Sequence, residues 1–303
     1  MLYQIIVLSL ILAILLRFVF LYSYKFLFLG RAIYFMDQIN LQYVFSLIPN
    51  ILLINFLVNR WITAGYFPLS NLFESLLFLT WCLSSILLMV ELKTSNYLIG
   101  LIVIPIQITL IGFSSYLLPE SMQKSASLVP ALQSSWLMFH VSMMILSYAI
   151  LILGSLLSVL IMFISRRSMT PEDRALIEVS RKRTGVQSGG GGFSGRNENL
   201  LINLDTWSYR AIQVGHIALT LGILAGSVWA NESWGSYWSW DPKETWSLIT
   251  WLIFTAYLHA RLIQNWAGPK LSVLGAIGFV SIWISYLGVN FLASGLHSYG
   301  WIS

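Results

Sequence analysis

Long apolar runs, separated by short polar segments, set the pattern of this chain. Eight of them are candidates for membrane-spanning helices: 1–22, 42–59, 69–90, 97–117, 137–164, 207–230, 245–266 and 272–293. Such a helix needs roughly 20 apolar residues to cross about 30 Å of hydrocarbon. The second run is the least regular, because Pro49, Asn50 and Asn55 fall inside it. The pattern predicts an all-α polytopic integral membrane protein with about eight transmembrane helices.

The composition of the chain supports this prediction. Charged residues make up 10% of the chain and hydrophobic residues 57%, whereas soluble domains carry about 25% charged residues. So few charges cannot cover a water-facing surface, and most of the surface is expected to face lipid. The first run lacks a basic amino-terminal region and contains Arg17, which is not typical of a cleaved signal peptide. We therefore interpret this run as a retained span.

The distribution of basic residues predicts how the spans are oriented. If eight spans alternate, most Lys and Arg residues fall on one side, and the other side receives only Arg60, Lys124 and Lys243. The positive-inside rule assigns the basic side to the cytoplasm or stroma. Both termini and the loop between the sixth and seventh spans are then expected on the opposite, lumenal side. This bias accounts for the net charge of +5, and no nucleic-acid partner is expected.

Polarity divides the chain into four expected regions. They are amino-terminal spans at 1–60, spans three to five at 61–165, a flexible basic loop at 166–206, and a carboxyl-terminal core at 207–303. The loop contains a serine followed by four glycines at 188–192. Such a composition cannot bury enough apolar area to fold by itself.

An aromatic cluster fills the loop between the sixth and seventh spans, within 234–246. Its rings belong to Trp234, Tyr237, Trp238, Trp240 and Trp246. One interpretation is an interfacial belt, since Trp and Tyr favour the headgroup level of a membrane. The other is a binding platform for a flat apolar macrocycle such as haem, with the neighbouring lysine available to its propionates. The crowding of rings favours the platform.

Two helix starts carry acidic residues at positions typical of helix capping. Asp241 and Glu244 fit the N-cap and third positions of the seventh span, with a proline between them where no amide is needed. Asp241 is therefore a candidate cap and a candidate ligand contact. Ser70 or Asn71 is expected to cap the third span, with Glu74 in its first turn.

Histidines supply candidate ligands for an iron. His140, near one end of the fifth span, and His297, after the eighth, are expected on the same side as the aromatic loop. Haem iron takes two axial ligands, and imidazole is a common one. His216 and His259 lie inside the sixth and seventh spans, where an ionisable residue indicates function by default. They could bracket a second haem, pair with a partner's histidine, or hydrogen-bond neighbouring helices.

Together these residues resemble the CcsA family of cytochrome c biogenesis proteins, within the wider tryptophan-rich (WWD) haem-handling superfamily. The resemblance is carried by WGSYWSWDPKETW at 234–246, YLH at 257–259 and LHSYG at 296–300. Upstream it is carried by FPLSNLFESL at 67–76 and by LVPALQS at 128–134, which leads to His140. It covers nearly everything from about residue 60 onward, while the first 60 residues match only in hydropathy.

The resemblance implies that haem b is bound in transit and presented on the lumenal side for thioether attachment to apocytochromes c, such as cytochrome f. It implies His140 and His297 as axial ligands of an external haem, gripped by the aromatic loop. It also implies His259 as an in-membrane ligand whose counterpart comes from a CcsB/ResB-type membrane partner. His216 matches no histidine of the family.

The resemblance further implies a component of a cytochrome c synthase or haem lyase system, with no self-contained catalytic residues in view. Cys82 is the single cysteine, so a Cys-x-x-Cys pair cannot form within one chain and the thiols must come from the apocytochrome. Two alternatives stay open: a haem or small-solute transporter without a role in attachment, and a CcmC-like component of a different maturation system. The expected location is the thylakoid membrane of a plastid, with a cyanobacterial membrane as the alternative.

Overall fold

Helices account for all regular secondary structure among the residues that the structure describes. The structure is a computed structural model, and it describes residues 2–26, 32–94, 99–124, 133–168 and 195–292. His297 and the basic segment at 169–194 lie outside these ranges. The helices are α1 Leu2–Phe26, α2 Ala32–Ala64, α3 Leu72–Thr94, α4 Gly100–Gly112, α5 Glu120–Gln123, α6 Ser135–Ser168, α7 Gly195–Trp234, α8 Pro242–Leu262, α9 Pro269–Trp283 and α10 Val289–Leu292. Single π-helical segments, Phe113–Leu117 and Ile284–Gly288, extend α4 and join α9 to α10.

Within the described ranges, six helices are long and apolar enough to cross a membrane. They are Tyr43–Ala64, Leu72–Lys93, Gly100–Leu117, Ser135–Ser165, Leu200–Trp234 and Pro269–Phe291. Each contains most or all of a run predicted from the sequence, so the prediction of an all-α polytopic membrane protein is confirmed. The first run forms α1, in which the apolar stretch Gln4–Arg17 is shorter. The seventh forms α8, which is less apolar because Trp, Thr, Tyr and His residues interleave with its aliphatic ones.

The chain divides into two compact units, and the division falls inside α6 and α7. Of the described residues, the first unit comprises those within 1–150 and 217–240, and the second those within 151–216 and 241–292. The first unit therefore holds α1 to α5, the amino-terminal half of α6, the carboxyl-terminal part of α7 and the aromatic residues up to Trp240. The four regions expected from polarity stay a prediction.

A buried ion pair ties four helices of the first unit together. Arg17 of α1 is 1% exposed and donates to the carboxylate of Glu91 in α3 and to the hydroxyl of Ser46 in α2. Its guanidinium also lies against the backbone of Gly100 at the start of α4, where an added Cβ would overlap the Arg17 side chain. Charges removed from water in this way persist only when they are paired.

Small residues bring the helices of the second unit close together. The hydroxyls of Ser158 in α6 and Ser208 in α7 lie 2.9 Å apart, and Ser208 also donates to the carbonyl of Gly154 at 2.8 Å. A Cβ on Gly275 of α9 would lie 2.3 Å from the Ser158 hydroxyl. Helices in lipid pack through such small residues and interhelical hydrogen bonds, because no hydrophobic effect drives them together.

The start of α7 differs from the prediction for the polar segment. The helix begins at Gly195, so the last part of the expected flexible loop at 166–206 is helical. The reason is that Leu201 and Leu204 are buried in the second unit, and Asp205 pairs with Arg261 of α8 at 2.8 Å. The carboxylate of Asp205 also accepts from the amide of Gly268 at 2.9 Å, which fixes the turn before α9.

Candidate functional site

The carboxyl-terminal end of the aromatic motif starts a helix, as its sequence predicts. Asp241 is the N-cap of α8 and accepts from the amide of Lys243 at 3.1 Å. The Glu244 carboxylate reaches back to the amide of Asp241 at 3.2 Å, which completes a capping box. The predicted capping role of Asp241 is therefore confirmed, while its predicted contact with a ligand stays a prediction.

The lysine of this first turn sits in an unfavourable position for a charge. Lys243 is half-buried in the second position of α8, near the positive end of the helix dipole. Burial lowers the pKa of Lys243 to about 8, against the opposing attraction of the Asp241 carboxylate. With a pKa of about 8, Lys243 is mainly protonated at neutral pH, and its positive charge could pair with a haem propionate.

The rings before this helix start are presented to the outside of the first unit. Tyr237 and Trp240 are 60% and 69% exposed, whereas Trp238 is half-buried with its ring 6.0 Å from that of Trp240 and nearly perpendicular to it. The backbone has positive φ at Gly235, 79°, and at Trp240, 59°. An indole-bearing residue in this left-handed region is an outlier of the kind found at functional sites.

His140 lies in the first unit, and one nitrogen of its ring forms a hydrogen bond with the backbone of α7. Its Nδ1 is 2.6 Å from the carbonyl oxygen of Gly222 in α7. A carbonyl can only accept, so Nδ1 carries the proton and donates it. The lone pair of the neutral imidazole is then on Nε2, the nitrogen that can ligate a metal. A ligating histidine almost always donates its other N–H to such an acceptor.

Two tryptophans connect His140 to the aromatic loop. The indole of Trp229 in α7 lies nearly parallel to the imidazole, at 12° with a centroid distance of 6.4 Å. Trp229 in turn meets Trp234 edge to face at 4.7 Å. The predicted residues His140 and Trp234 therefore belong to one continuous set of rings. Sequence reasoning missed Trp229 because it lies inside an apolar run, where a tryptophan is ordinary.

A second polar cluster lies in the first unit around Glu74. Asn71 caps α3 by accepting from the amide of Glu74 at 2.9 Å, as predicted. The Glu74 side chain, which is fully buried, also accepts from Arg60 at 2.5 Å and from the amide and hydroxyl of Ser70, both at 2.7 Å. Arg60 then donates to the carbonyl of Gln123 at 2.7 Å. Glu74 thus holds the segment before α3 in place as well as starting the helix.

A cleft opens between this segment and the first turns of α6. It has a volume of about 210 Å³, and its walls include Phe67, Leu69, Ser70, Leu137 and Met138. Because Leu137 and Met138 belong to the first turns of α6, the cleft lies at the same end of α6 as His140.

The two histidines of the second unit differ in their surroundings. Nε2 of His216 lies 3.3 Å from the hydroxyl of Thr255 in α8, and its ring is tilted over Trp251 at 5.3 Å. The predicted hydrogen bond between helices is confirmed for His216. His259 is exposed in the last turn of α8, one turn beyond Thr255 on the same face. The roles predicted for His259, Trp246 and His297 stay predictions.

Comparisons with known proteins agree on one family. A family model described as "Cytochrome C assembly protein" matches residues 69–297. The "Cytochrome c biogenesis protein CcsA" of Trieres chinensis is 53% identical over 268 residues, which cover 85% of this chain and 86% of that protein. The protein of the same name from Crocosphaera subtropica is 46% identical over 287 residues, covering 84% of this chain and 86% of that protein.

A solved structure shares the fold. The chain titled "Cytochrome c Heme Lyase CcmF" matches with a TM-score of 0.59 at 17% sequence identity. The match covers 97% of this chain and 46% of that chain, so this chain spans less than half the length of the solved one. At this level of identity the likeness concerns the fold alone.

Proposed function

Because the chain belongs to the cytochrome c assembly protein family, we propose that it carries haem and presents it for covalent attachment to apocytochromes c. The observation that supports this most directly is the geometry of His140. Its Nδ1 is bonded to a backbone carbonyl, its Nε2 has the lone pair, and its ring joins the tryptophans that lead to the exposed aromatic loop.

The described residues of the first unit fit a haem as cargo. A macrocycle needs flat apolar surfaces on its faces and a nitrogen donor for its iron. Trp238, Trp240 and Tyr237 offer the rings, and His140 offers the nitrogen. We assign the second axial ligand to His297, as the family resemblance implies. By their place in the 234–246 motif alone, we also assign Asp241 and Trp246 to the macrocycle and Lys243 to a propionate.

The chain itself contributes binding and orientation to the chemistry. In the attachment step a substrate thiol adds across a haem vinyl group: a C–S bond forms, the thiol hydrogen goes to the other vinyl carbon, and no net oxidation occurs. Cys82, the single thiol of this chain, is 3% exposed within α3, so the reacting thiols belong to the apocytochrome. By holding the haem in one orientation, the chain makes the encounter of thiol and vinyl effectively intramolecular.

His259 supplies the proposed link to a partner protein. It is exposed in the last turn of α8, and it lies in the seventh predicted span, where an ionisable residue is a functional candidate by default. We assign it as an in-membrane ligand of haem b whose counterpart comes from a CcsB/ResB-type membrane protein. The proposed location is a thylakoid membrane, plastid or cyanobacterial, with the aromatic loop on the lumenal side.

The test is the haem spectrum of the full chain purified with and without its partner. The wild-type complex should carry low-spin haem with two imidazole ligands. His140→Ala combined with His297→Ala should remove the external haem, and His259→Ala should remove in-membrane haem that added imidazole restores. His216→Gln is the matched control, because it keeps a hydrogen-bond donor between α7 and α8 and should leave both spectra unchanged.

Cytochrome maturation in cells separates attachment from transport. The double variant should accumulate in the membrane and yet abolish mature c-type cytochromes. Normal levels of these cytochromes in the double variant would refute the axial assignment. If haem crossed the membrane normally in reconstituted vesicles but apocytochromes were never modified by the wild-type complex, the chain would be a transporter without a role in attachment.

A further inference from the structure

Two glycines of α7 create the space in which His140 sits. Gly222 and Gly226 are one helical turn apart on the face of α7 that meets α6. A Cβ on Gly226 would lie 2.5 Å from both Cε1 and Nδ1 of the His140 ring, and a Cβ on Gly222 would lie 2.7 Å from the sulfur of Met144. Real Cβ atoms do not approach other atoms so closely, so the imidazole can occupy this position only because residue 226 has no side chain.

The same glycine exposes the acceptor that His140 uses. In an α-helix the carbonyl of one residue accepts from the amide four residues later, and the side chain of that later residue points back toward it. Gly226 is the residue that follows Gly222 by this interval. Because Gly226 has no Cβ, the second lone pair of the Gly222 carbonyl stays accessible, and the His140 Nδ1–H reaches this oxygen at a donor–acceptor distance of 2.6 Å.

Trp229 is the third residue of α7 that borders the His140 ring, after Gly222 and Gly226. It is 4% exposed and follows Gly226 by three residues, which places it on the same face of α7. Its indole is nearly parallel to the imidazole. A ring bounded by a hydrogen bond, a bare backbone and an indole keeps a single orientation and a single tautomer.

We propose that Gly226, with Gly222 and Trp229, is a positioning residue that holds His140 as an Nε2 ligand of iron. This inference rests on the proposed function, since it takes His140 as the ligand. It adds that the ligand is set by the backbone of α7. The hydrogen bond to the Gly222 carbonyl also increases the electron donation of the imidazole, which lowers the reduction potential of a bound haem.

The decisive variant is Gly226→Ala in the full chain, purified with its partner. The added methyl should displace the imidazole, so the external haem should change from low-spin to high-spin, and free imidazole should restore the low-spin spectrum. Haem affinity should fall about tenfold to a hundredfold, the range for loss of an outer hydrogen-bond partner. Gly278→Ala is the matched control, because its Cβ would meet Phe254 equally closely, at 2.5 Å, in the second unit. It should leave the spectrum of the external haem unchanged.

A double-variant cycle keeps the test decisive if Gly226→Ala accumulates poorly. Once His140→Ala has removed the imidazole, the added methyl has room, so the combined variant should accumulate as well as His140→Ala alone. An equal loss with and without the imidazole would overturn the positioning role, as would a wild-type spectrum in Gly226→Ala. Neither result affects the proposed function. The ligand assignment itself would be refuted by an unchanged external haem in His140→Ala.

Discussion

Trp240 holds a backbone conformation that residues with a side chain rarely adopt. Its φ of 59° is in the left-handed region, which costs about 1–2 kcal/mol per residue. The indole is nevertheless 69% exposed, so packing within the first unit gives little in return. Strain kept at an exposed aromatic residue supports the proposed role of this ring in binding.

Substitutions at Trp240 can distinguish the contribution of the indole ring to haem binding from the effect of the strained backbone on stability. Trp240→Asn should keep the fold and raise the melting temperature slightly, since asparagine tolerates the left-handed conformation. It should lose most of the bound haem, because the flat surface is gone. Trp240→Phe keeps a ring and should retain haem while gaining no stability. The measurements are the haem-to-protein ratio and the thermal unfolding of the purified complex; full haem loading of Trp240→Asn would contradict the binding role.

At the scale of an element, the start of α8 shows how a motif serves two purposes. Asp241 and Glu244 satisfy amides that have no partner within the helix. The same residues end the aromatic motif, so a spectrum or activity lost on mutation would not by itself distinguish a cap from a ligand contact.

Two substitutions at Asp241 make that distinction. Asp241→Asn keeps an oxygen acceptor for the Lys243 amide and should preserve stability, because asparagine caps as well as aspartate. Asp241→Ala should cost about 1 kcal/mol of helix stability and weaken haem binding through fraying of α8. Equal haem content in Asp241→Asn and wild type, measured spectrally, is the result expected for a cap. Loss of haem in Asp241→Asn with an unchanged melting temperature would show that the carboxylate contacts the ligand.

At the scale of the whole molecule, the Arg17–Glu91 pair joins the amino-terminal helices to the part that carries the family match. Arg17 lies before the matched residues 69–297, and Glu91 lies within them. The helices α1 and α2, which precede the residues matched by the family model, are thus anchored by a specific contact in the first unit.

Removal of one partner of this pair should be far more harmful than removal of both. Arg17→Met would leave the Glu91 carboxylate buried without its cation, at a cost of about 3–5 kcal/mol. Glu91→Leu should cost a similar amount, while the double substitution should recover most of the loss. The yield of folded protein and its melting temperature in detergent measure these effects. A double variant as unstable as the worse single one would exclude this pairing as the source of stability.

Much of this architecture was predictable because it depends on local pattern. Apolar runs of sufficient length predicted the helices, and the Asp-Pro-Lys-Glu sequence predicted the start of α8. The charge pattern could not predict where α7 begins, because Leu201, Leu204 and Asp205 look like parts of a polar segment. Their burial depends on Arg261 and other residues of the second unit that are distant in the sequence.

In the candidate site, too, some features were predictable from the sequence and others depend on contacts between distant residues. From the sequence alone, alternating spans predicted that His140, His297 and the aromatic loop lie on one side of the membrane, and the resemblance implied His259 as a further ligand. Only the tertiary structure decided that Gly226 gives the imidazole room, that the Gly222 carbonyl fixes its tautomer, and that Trp229 connects it to Trp234. The physical reason is that helix periodicity is a property of neighbours along the chain, whereas a close approach of α6 and α7 depends on atoms about 80 residues apart.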